Sequence, residues 1–192
     1  MKFDATRKSF LKGIEQIKDH QLDDKFKAMP VHKWNPPYCG EIEIEISSSG
    51  TWYYQNSEIK RHSMVKLFSS ILKREDSGEY FLVTPVEKVK IKVVKAPFIA
   101  VNMDIIKDNS IQRIYFTTNV GEVVLTSKNH PVHIVNEKNG VYPYVYVRDN
   151  LEALLSRPLY YQLMEIVIQE KIKGEVWNGF WSDNHFFKLQ KK

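Results

Sequence analysis

Glu41-Ile42-Glu43-Ile44-Glu45-Ile46 decides the fold of the first half of the chain, because it alternates acidic and apolar residues without a break. Successive side chains of a strand point to opposite faces, so one face carries isoleucine toward a core and the other carries glutamate toward water. Lys88-Val89-Lys90-Ile91-Lys92 has the same pattern with the opposite charge. Opposite charges that face each other across strands stabilise a sheet. We therefore predict that these two strands are neighbours in one sheet.

Two amphipathic helices are predicted, each after a hairpin. The first runs from about His62 to Arg74, and the second from about Pro158, where proline is tolerated in the first turn, to Glu170. A third amphipathic helix, at residues 4–19, is stable only if its apolar face docks on another surface. The other predicted strands are Thr51–Tyr54, Tyr80–Val83, Val86–Val94, Phe98–Ile106, Arg113–Thr118, Val123–Thr126, Val132–Val135, Tyr142–Val147, Glu175–Phe180 and His185–Leu189.

The two halves of the chain share a pattern that indicates an internal duplication. Ile59–Leu72 aligns without a gap with Leu155–Ile168, and the matched segments follow the same order of hairpin, helix and strand. We therefore predict an α+β fold of two similar lobes, each an antiparallel sheet of β-hairpins packed on one helix, with an additional N-terminal helix. The predicted divisions are residues 1–29 for the N-terminal helix and linker, 30–110 for the first lobe and 111–192 for the second.

The composition is that of an ordinary globular protein, with 192 residues of which 43% are hydrophobic and 27% charged. A single cysteine, Cys39, excludes an intramolecular disulfide and a cysteine-rich metal site. The polar start Met1–Arg7 predicts no secretory signal, and no apolar run approaches the roughly 18 residues that span a membrane. We therefore expect a cytoplasmic protein without a membrane segment.

The net charge of +5 has two interpretations. Lysines and arginines that neutralise phosphates gain affinity by releasing counterions, so the lysines of the 88–92 stretch could form a phosphate-binding edge. We favour the other interpretation, in which they are the wet face of a half-buried strand, where lysine discourages edge-to-edge aggregation. Aromatic residues follow core-like alternation and are not interleaved with lysine and arginine on one face, so nucleic acid is not an expected partner.

Three short motifs contain residue types that are used in catalysis or metal binding. His130 and His133 are three apart on an extended segment, so they point to opposite faces and predict no metal site. Ser182-Asp183-Asn184-His185 is better explained by a hairpin turn, because catalytic triads are defined by geometry and not by adjacency. Cys39 has no neighbouring lysines or helix N-terminus to lower its pKa. We predict no catalytic residue, no metal site and no cofactor.

Arg61 and Arg157 are placed where a cation is unfavourable. Each lies at the start of its predicted helix, at the positive end of the helix dipole. Each therefore requires an anionic partner. Two partners remain open: a structural carboxylate, such as Glu58 or Asp149, and an anionic ligand bound between the lobes.

The chain resembles a bacterial domain-of-unknown-function family numbered 1285, found mainly in proteobacteria. The likeness includes Trp34-Asn35-Pro36-Pro37-Tyr38-Cys39-Gly40 and covers residues 30–189. The resemblance implies a two-lobed α+β fold with a repeated motif and favours a role in sensing or signalling, and it brings no catalytic residues. The stretches that carry it are Trp34–Ile42, Gly50–Tyr53, Arg74–Asp76, Gly78–Val89, Ala96–Phe98, Thr118–Gly121, His130–Pro131, Tyr144–Arg148 and Leu151–Leu154.

The leading functional hypothesis is a small regulatory or signalling module that binds a ligand, possibly anionic, or a protein, without catalysis of its own. Two alternatives remain open: a hydrolase-like enzyme that uses Glu87 or Asp183 with a histidine, and a docking module that uses the N-terminal helix as an arm. Ligands usually bind in clefts. The sequence does not determine the oligomeric state. The candidate ligand-binding residues are Trp34, Asn35, Tyr38, Arg61, Thr84, Glu87, Lys88, Asn119, Arg148 and Arg157.

Overall fold

The computed structural model describes residues 26–192, which form fifteen strands and two α-helices. The helices are α1 (His62–Ser70) and α2 (Arg157–Glu165). Within the described part of the chain, no helix is long and apolar enough to cross a membrane. The strands are β1 (Tyr38–Ile46), β2 (Trp52–Tyr54), β3 (Ser57–Glu58), β4 (Leu72–Arg74), β5 (Tyr80–Val83), β6 (Lys88–Val93), β7 (Phe98–Asp108), β8 (Ile111–Thr118), β9 (Val123–Leu125), β10 (Val132–Glu137), β11 (Gly140–Arg148), β12 (Leu151–Leu155), β13 (Ile168–Ile172), β14 (Glu175–Ser182) and β15 (His185–Lys191).

The chain divides into two compact units. Unit 1 contains the described residues up to Pro97 together with 120–122 and 149–151, and unit 2 contains the rest. The predicted boundary between residues 110 and 111 falls in the turn that joins β7 to β8, two paired strands of unit 2.

Unit 1 is built on a six-stranded sheet in the order β3-β2-β1-β6-β5-β4. The acidic strand β1 and the basic strand β6 are parallel neighbours, as their complementary charges predict, with Glu41 paired to Lys90 and Glu45 to Lys92. The Lys92 ammonium lies 2.8 Å from the Glu45 carboxylate. Lys90 instead bonds Glu79, 2.6 Å away.

The apolar faces of the sheet and of α1 form the core of unit 1. The isoleucines toward the end of β1 are buried, and Trp52 on β2 is 1% exposed. The indole ring of Trp52 lies 6.0 Å from the ring of Phe68 on α1, so the helix is held on the sheet by aromatic contact. The other large buried residues include Ile46, Ile71, Leu72, Leu82, Val89 and Ile91.

Unit 2 contains two sheets. The larger has the order β10-β11-β12-β7-β8-β9, and the smaller is the meander β13-β14-β15. Each sheet contributes fully buried side chains: Phe98 and Phe116 belong to the larger sheet and Phe180 to the smaller. The end of β14 is tied to β8 because the Asp183 amide donates to the Gln112 carbonyl at 2.8 Å.

Several hairpins close through two-residue turns in which both residues have positive φ. Asn109 and Ser110, with φ of 46° and 71°, join β7 to β8, and Asp183 and Asn184, with φ of 48° and 58°, join β14 to β15. This is the geometry of a type I′ turn, which matches the twist of the flanking strands and suits asparagine and aspartate.

The predicted α+β class is wrong, because strands dominate both units and the helices are minor. Each predicted helix is too long: α1 ends at Ser70 and α2 at Glu165, and the residues beyond them form the strands β4 and β13. The sheets are also not purely antiparallel, since β1–β6 and β12–β7 are parallel pairs. The predicted N-terminal helix at residues 4–19 lies outside the described residues.

Candidate functional site

Six of the ten predicted site residues lie on two segments of unit 1 that meet at the start of the β1–β6 pair. Trp34, Asn35 and Tyr38 belong to the proline-rich arm before β1, and the other three belong to the turn from Thr84 to Lys88. The Lys88 amide donates to the Pro37 carbonyl at 3.0 Å, and Tyr38 pairs with Lys88. Prolines cannot continue a central strand, so the arm joins the sheet only after Pro37.

Thr84 organises the turn. Its side chain is fully buried, and its hydroxyl accepts from the amide of Glu87 at 3.2 Å and donates to the carbonyl of Glu87 at 3.3 Å. The Thr84 amide donates to the same carbonyl at 2.9 Å. These bonds satisfy the polar groups of a buried turn, so Thr84 has a structural role there.

Glu87 is a buried carboxyl beside the thiol of Cys39. It is only 1% exposed, although ionised groups are costly to remove from water. Burial raises the pKa of the Cys39 thiol, and the neighbouring Glu87 carboxylate raises it further. The thiol lies 3.5 Å from the carbonyl of Pro37. A thiol with a raised pKa is a poor nucleophile, so the arrangement does not favour a catalytic cysteine.

Lys88 connects this buried cluster to a surface groove. Its ammonium bonds the Glu75 carboxylate at 2.8 Å and lies 4.7 Å from the centre of the Phe81 ring. The edge of that ring also contacts Tyr38, with 6.2 Å between centroids. The Glu75 carboxylate also lies 3.9 Å from the Lys73 ammonium. Lys88, Glu75 and Lys73 therefore form a series of ion pairs that leads from the arm to the turn between β4 and β5.

The groove beside that turn has a volume of about 510 Å³ and carries both signs of charge. Arg74 is held over the ring of Tyr80, 5.4 Å from its centre. Asn150 donates to the Asp76 carboxylate at 3.5 Å across the groove. All residues around it belong to unit 1. The lining consists of Val31, His32, Lys73, Arg74, Glu75, Asp76, Ser77, Asp149 and Asn150.

None of these lining residues was among the predicted site residues, because they come from three separated stretches of sequence. The charged run Arg74-Glu75-Asp76 was the available signal, since it precedes Gly78, whose φ is +85°. Consecutive charges before a glycine turn place both signs at one exposed loop.

The remaining predicted site residues do not join this groove. Arg61 occupies the N-cap position of α1 and is exposed, and its side chain makes no capping hydrogen bond. Arg157 is in unit 2 and its Nε contacts the Tyr161 hydroxyl at 3.3 Å, so its partner is a tyrosine of the same helix and not a carboxylate. That contact raises the pKa of the guanidinium.

Asn119 and Arg148 have structural contacts within unit 2. The Asn119 side chain accepts from the amide of Ile99 at 3.1 Å, and its own amide donates to the Ile99 carbonyl at 2.8 Å. The Arg148 guanidinium lies 5.6 Å from the centre of the Phe98 ring. Both side chains therefore help to hold the ends of β7 and β11 in place.

The histidines of the 130–133 segment have separate surroundings. The His133 ring stacks on Tyr144 at 5.6 Å, and its Nε2 lies 3.5 Å from a Glu152 oxygen. The His130 ring packs against Tyr146 at 6.0 Å. Across the residues that the structure describes, no three histidine, cysteine, aspartate or glutamate side chains are grouped so that they could hold a metal ion.

The 182–185 motif forms a hairpin turn, as predicted. Asp183 is paired with Arg113, with 3.3 Å between the nearest atoms, and the His185 ring packs against Phe187. The Ser182 hydroxyl is fully buried and accepts from the Ile114 amide at 3.0 Å while it donates to the Thr126 carbonyl at 2.6 Å. A hydroxyl with both of its bonds made to buried backbone is a structural tether and not a nucleophile.

The comparisons with known proteins agree with each other. Residues 29–96 match the model of "Domain of unknown function (DUF1285), N-terminal domain", and residues 97–189 match "Protein of unknown function (DUF1285), C-terminal domain". A DUF1285 family protein from Silicibacter pomeroyi, solved by crystallography, is 43% identical with a TM-score of 0.78, and the match covers 87% of this chain and 90% of that one. A DUF1285 family protein from Shewanella baltica is 28% identical with a TM-score of 0.53, over 65% of this chain and 91% of that one. No curated protein matches.

Proposed function

The chain belongs to the DUF1285 family, as its sequence indicates, and we propose that it is a small cytoplasmic regulatory module that binds a ligand without catalysing a reaction. The proposed ligand is a small polar molecule that carries an anionic group, either a carboxylate or a phosphate. It binds in the groove of unit 1 between the proline-rich arm and the turn after β4.

The mixed charge of the groove carries this proposal. Lys73 and Arg74 bring positive charge to a concave surface of about 510 Å³, which is within the usual size range of small-molecule sites. The stacking of Arg74 on Tyr80 limits the conformations of its long side chain. A guanidinium that is already ordered loses less entropy when it bonds an anion, and its fork of donors matches a carboxylate or phosphate.

The acidic side of the groove narrows the ligand class. Glu75 and Asp76 line the same surface, and they would repel a ligand that is anionic throughout. A ligand that fits both sides has hydrogen-bond donors or a cationic group a few ångströms from its anionic group. Amino acids and nucleotides with an exocyclic amine have this chemistry, whereas inorganic phosphate has only the anionic part.

A thermal-shift series on the full chain tests the proposal, with L-glutamate, AMP and inorganic phosphate as probes at millimolar concentration. We expect L-glutamate or AMP to raise the midpoint of unfolding more than phosphate does, since only these two have an amino group that can reach the acidic side while the anionic group bonds Arg74. Calorimetry on the best probe then gives the affinity of the wild type and of Arg74→Gln. Loss of a charged hydrogen-bond donor costs about 1.5–3 kcal/mol, so affinity falls by about 10- to 150-fold.

Arg157→Gln is the matched control, because Arg157 also lies over a tyrosine ring, that of Tyr161, but belongs to unit 2. Its affinity for the probe is expected to equal that of the wild type. An equal loss in both variants would show that binding reflects net charge and not the groove. Absence of any shift with all three probes would also contradict the proposal.

A further inference from the structure

The strand β7 extends well beyond the strand that lies beside it. β12 pairs with β7 only from Phe98 to Ala100, and the chain then enters α2, a helix that also contacts β7. β8 covers the other side of β7 as far as Asp108. In the described part of the chain, the edge of β7 from Val101 to Asp108 therefore has no neighbouring strand on the β12 side.

The register of the hairpin shows which backbone groups point to this open edge. Asp108 and Ile111 close the two-residue turn and exchange hydrogen bonds with each other, as the residues that flank such turns do. Bonded and non-bonded positions alternate along an antiparallel pair. The amide and carbonyl groups of Lys107, Ile105 and Met103 therefore point away from β8, toward the open edge.

This edge exposes apolar side chains among charged ones. Val101 is 51% exposed, Ile105 40% and Ile106 51%. Natural proteins protect open edges with charged side chains, proline, bulges or a covering element, because a long apolar edge pairs with other strands. Beyond the irregularity at Ala100–Asn102, β7 has no further bulge and no proline. The edge carries the charged residues Asp104, Lys107 and Asp108, yet it still exposes three large apolar side chains.

We propose that the open edge of β7 pairs with the same edge of a second copy of this chain, in antiparallel orientation about a two-fold axis at Ile105. In this register Ile105 lies opposite Ile105 of the second copy, and Met103 lies opposite Lys107. Three bonded pairs form, and each exchanges two backbone hydrogen bonds. The two six-stranded sheets then become one continuous sheet across the dimer.

The charges on β7 favour this register over the two adjacent ones. Bonded pairs can form only between Met103, Ile105 and Lys107, because only their backbone groups point to the open edge. The alternative positions of the two-fold axis are therefore one residue apart along the strand. With the axis at Asp104, two aspartates would lie opposite each other, and with the axis at Ile106, Asp104 would lie opposite Asp108. Like charges in directly opposite positions are destabilising. With the axis at Ile105, Asp108 lies opposite Asn102, which can donate a hydrogen bond to it.

Analytical ultracentrifugation of the full chain over a range of concentrations tests the proposal. We expect the wild type to be a dimer that dissociates on dilution. Ile105→Lys should be monomeric at every concentration, because two ammonium groups would meet on the axis. Val123→Lys is the matched control, since Val123 is 61% exposed on β9, an edge of the same sheet far from the axis, and it should remain dimeric.

Cross-linking determines the register. In a Cys39→Ser background, which removes the single native cysteine, Ile105→Cys should form an intermolecular disulfide on mild oxidation. Bonded positions lie about 5.5 Å apart between Cα atoms, within the range that a disulfide spans. Met103→Cys should not cross-link, because four residues of offset separate the two copies by about 14 Å.

Three results would overturn the proposal: a monomeric wild type at all concentrations, a dimer that survives Ile105→Lys, or equal loss of dimer in Val123→Lys. A dimer in which Met103→Cys cross-links and Ile105→Cys does not would refute the register. Circular dichroism of each lysine variant separates loss of the dimer from loss of the fold.

Discussion

Replacement of Ser182 by alanine should weaken unit 2 far more than a serine-to-alanine change usually does. The Ser182 hydroxyl is fully buried at the end of β14, where it bonds the Ile114 amide and the Thr126 carbonyl at 3.0 and 2.6 Å. These two groups belong to β8 and to the segment after β9, so one hydroxyl joins the small sheet to the large sheet. The alanine variant leaves both groups buried without this partner.

The magnitude follows from the two lost bonds. A buried donor or acceptor left unsatisfied costs about 1–3 kcal/mol, and the two groups lie close enough for partial relaxation. We therefore expect the free energy of unfolding to fall by about 2–4 kcal/mol, which is a large fraction of the roughly 5–15 kcal/mol of a typical domain. The remaining links between the sheets, from Asp183 to Gln112 and from Gln112 to Trp181, keep the fold in place.

Urea denaturation followed by circular dichroism measures the loss, and hydrogen exchange at the Ile114 amide locates it. Exchange at Ile114 should accelerate, since its acceptor is gone. Ser156→Ala is the matched control: Ser156 precedes α2 but makes no side-chain capping bond, so its removal should change stability by less than about 0.5 kcal/mol. Equal stability of the two variants, or unchanged exchange at Ile114, would refute the reasoning.

Two further predictions concern unit 1. Glu87→Gln removes the negative charge beside Cys39, so the thiol pKa should fall and its reaction with a disulfide reagent at fixed pH should become faster; an unchanged or slower rate would contradict the contact. The hydrogen bond and charge of Lys90 lower the pKa of Glu79 below its ordinary value of 4.5. The ion pair therefore stabilises the fold above pH 4.5, and this contribution is lost as the pH falls through the pKa of Glu79 in the folded state. In Lys90→Gln the Glu79 pKa measured by NMR should return toward the ordinary value, and a pKa that stays low would assign the shift to another group.

The strand pairing of unit 1 could be predicted from sequence because two independent signals coincide in it. The alternation of Glu41–Ile46 and Lys88–Val93 fixes which side chains face the core, and the opposite charges favour contact between the two strands. The structure confirms the neighbours and the pairing of Glu45 with Lys92. Lys88 and Lys90 depart from this pattern, because their ammonium groups bond Glu75 and Glu79 in the turn between β4 and β5.

The ends of the helices could not be predicted, because apolar residues next to a helix fit two patterns. Ile71 and Leu72 continue the apolar stripe of α1, yet they also suit the buried strand β4, where Leu72 is fully buried opposite Leu82. Short apolar runs do not distinguish a helix from a buried strand. Pairing with Leu82 of β5 places Leu72 in a strand, and the local sequence pattern does not show this pairing.

The groove of unit 1 was missed for a related reason. Its charged residues are unremarkable in sequence, since a run of charges usually marks a solvated face. They become a candidate site only because the chain brings His32, the turn after β4 and Asn150 to one concave surface. Six residues of the predicted site do meet in unit 1, but Thr84 and Glu87 are buried inside the structure that supports the groove and do not line it.

The two units show that a repeated order of elements does not determine how a sheet is assembled. In each unit a nine-residue helix is followed by a three-stranded antiparallel meander, β4-β5-β6 in unit 1 and β13-β14-β15 in unit 2. In unit 1 the last strand of the meander carries lysines that complement β1, and it joins the main sheet in parallel. In unit 2 Lys191 of the last strand, β15, pairs with Glu175 of β14 inside the meander, and the meander stays a separate sheet, joined to the large sheet through the Ser182 hydroxyl and the Asp183 amide. The repeated order of elements therefore leaves open where each meander docks, and particular side chains, the lysines of β6 and the buried hydroxyl of Ser182, make the connections that differ between the units.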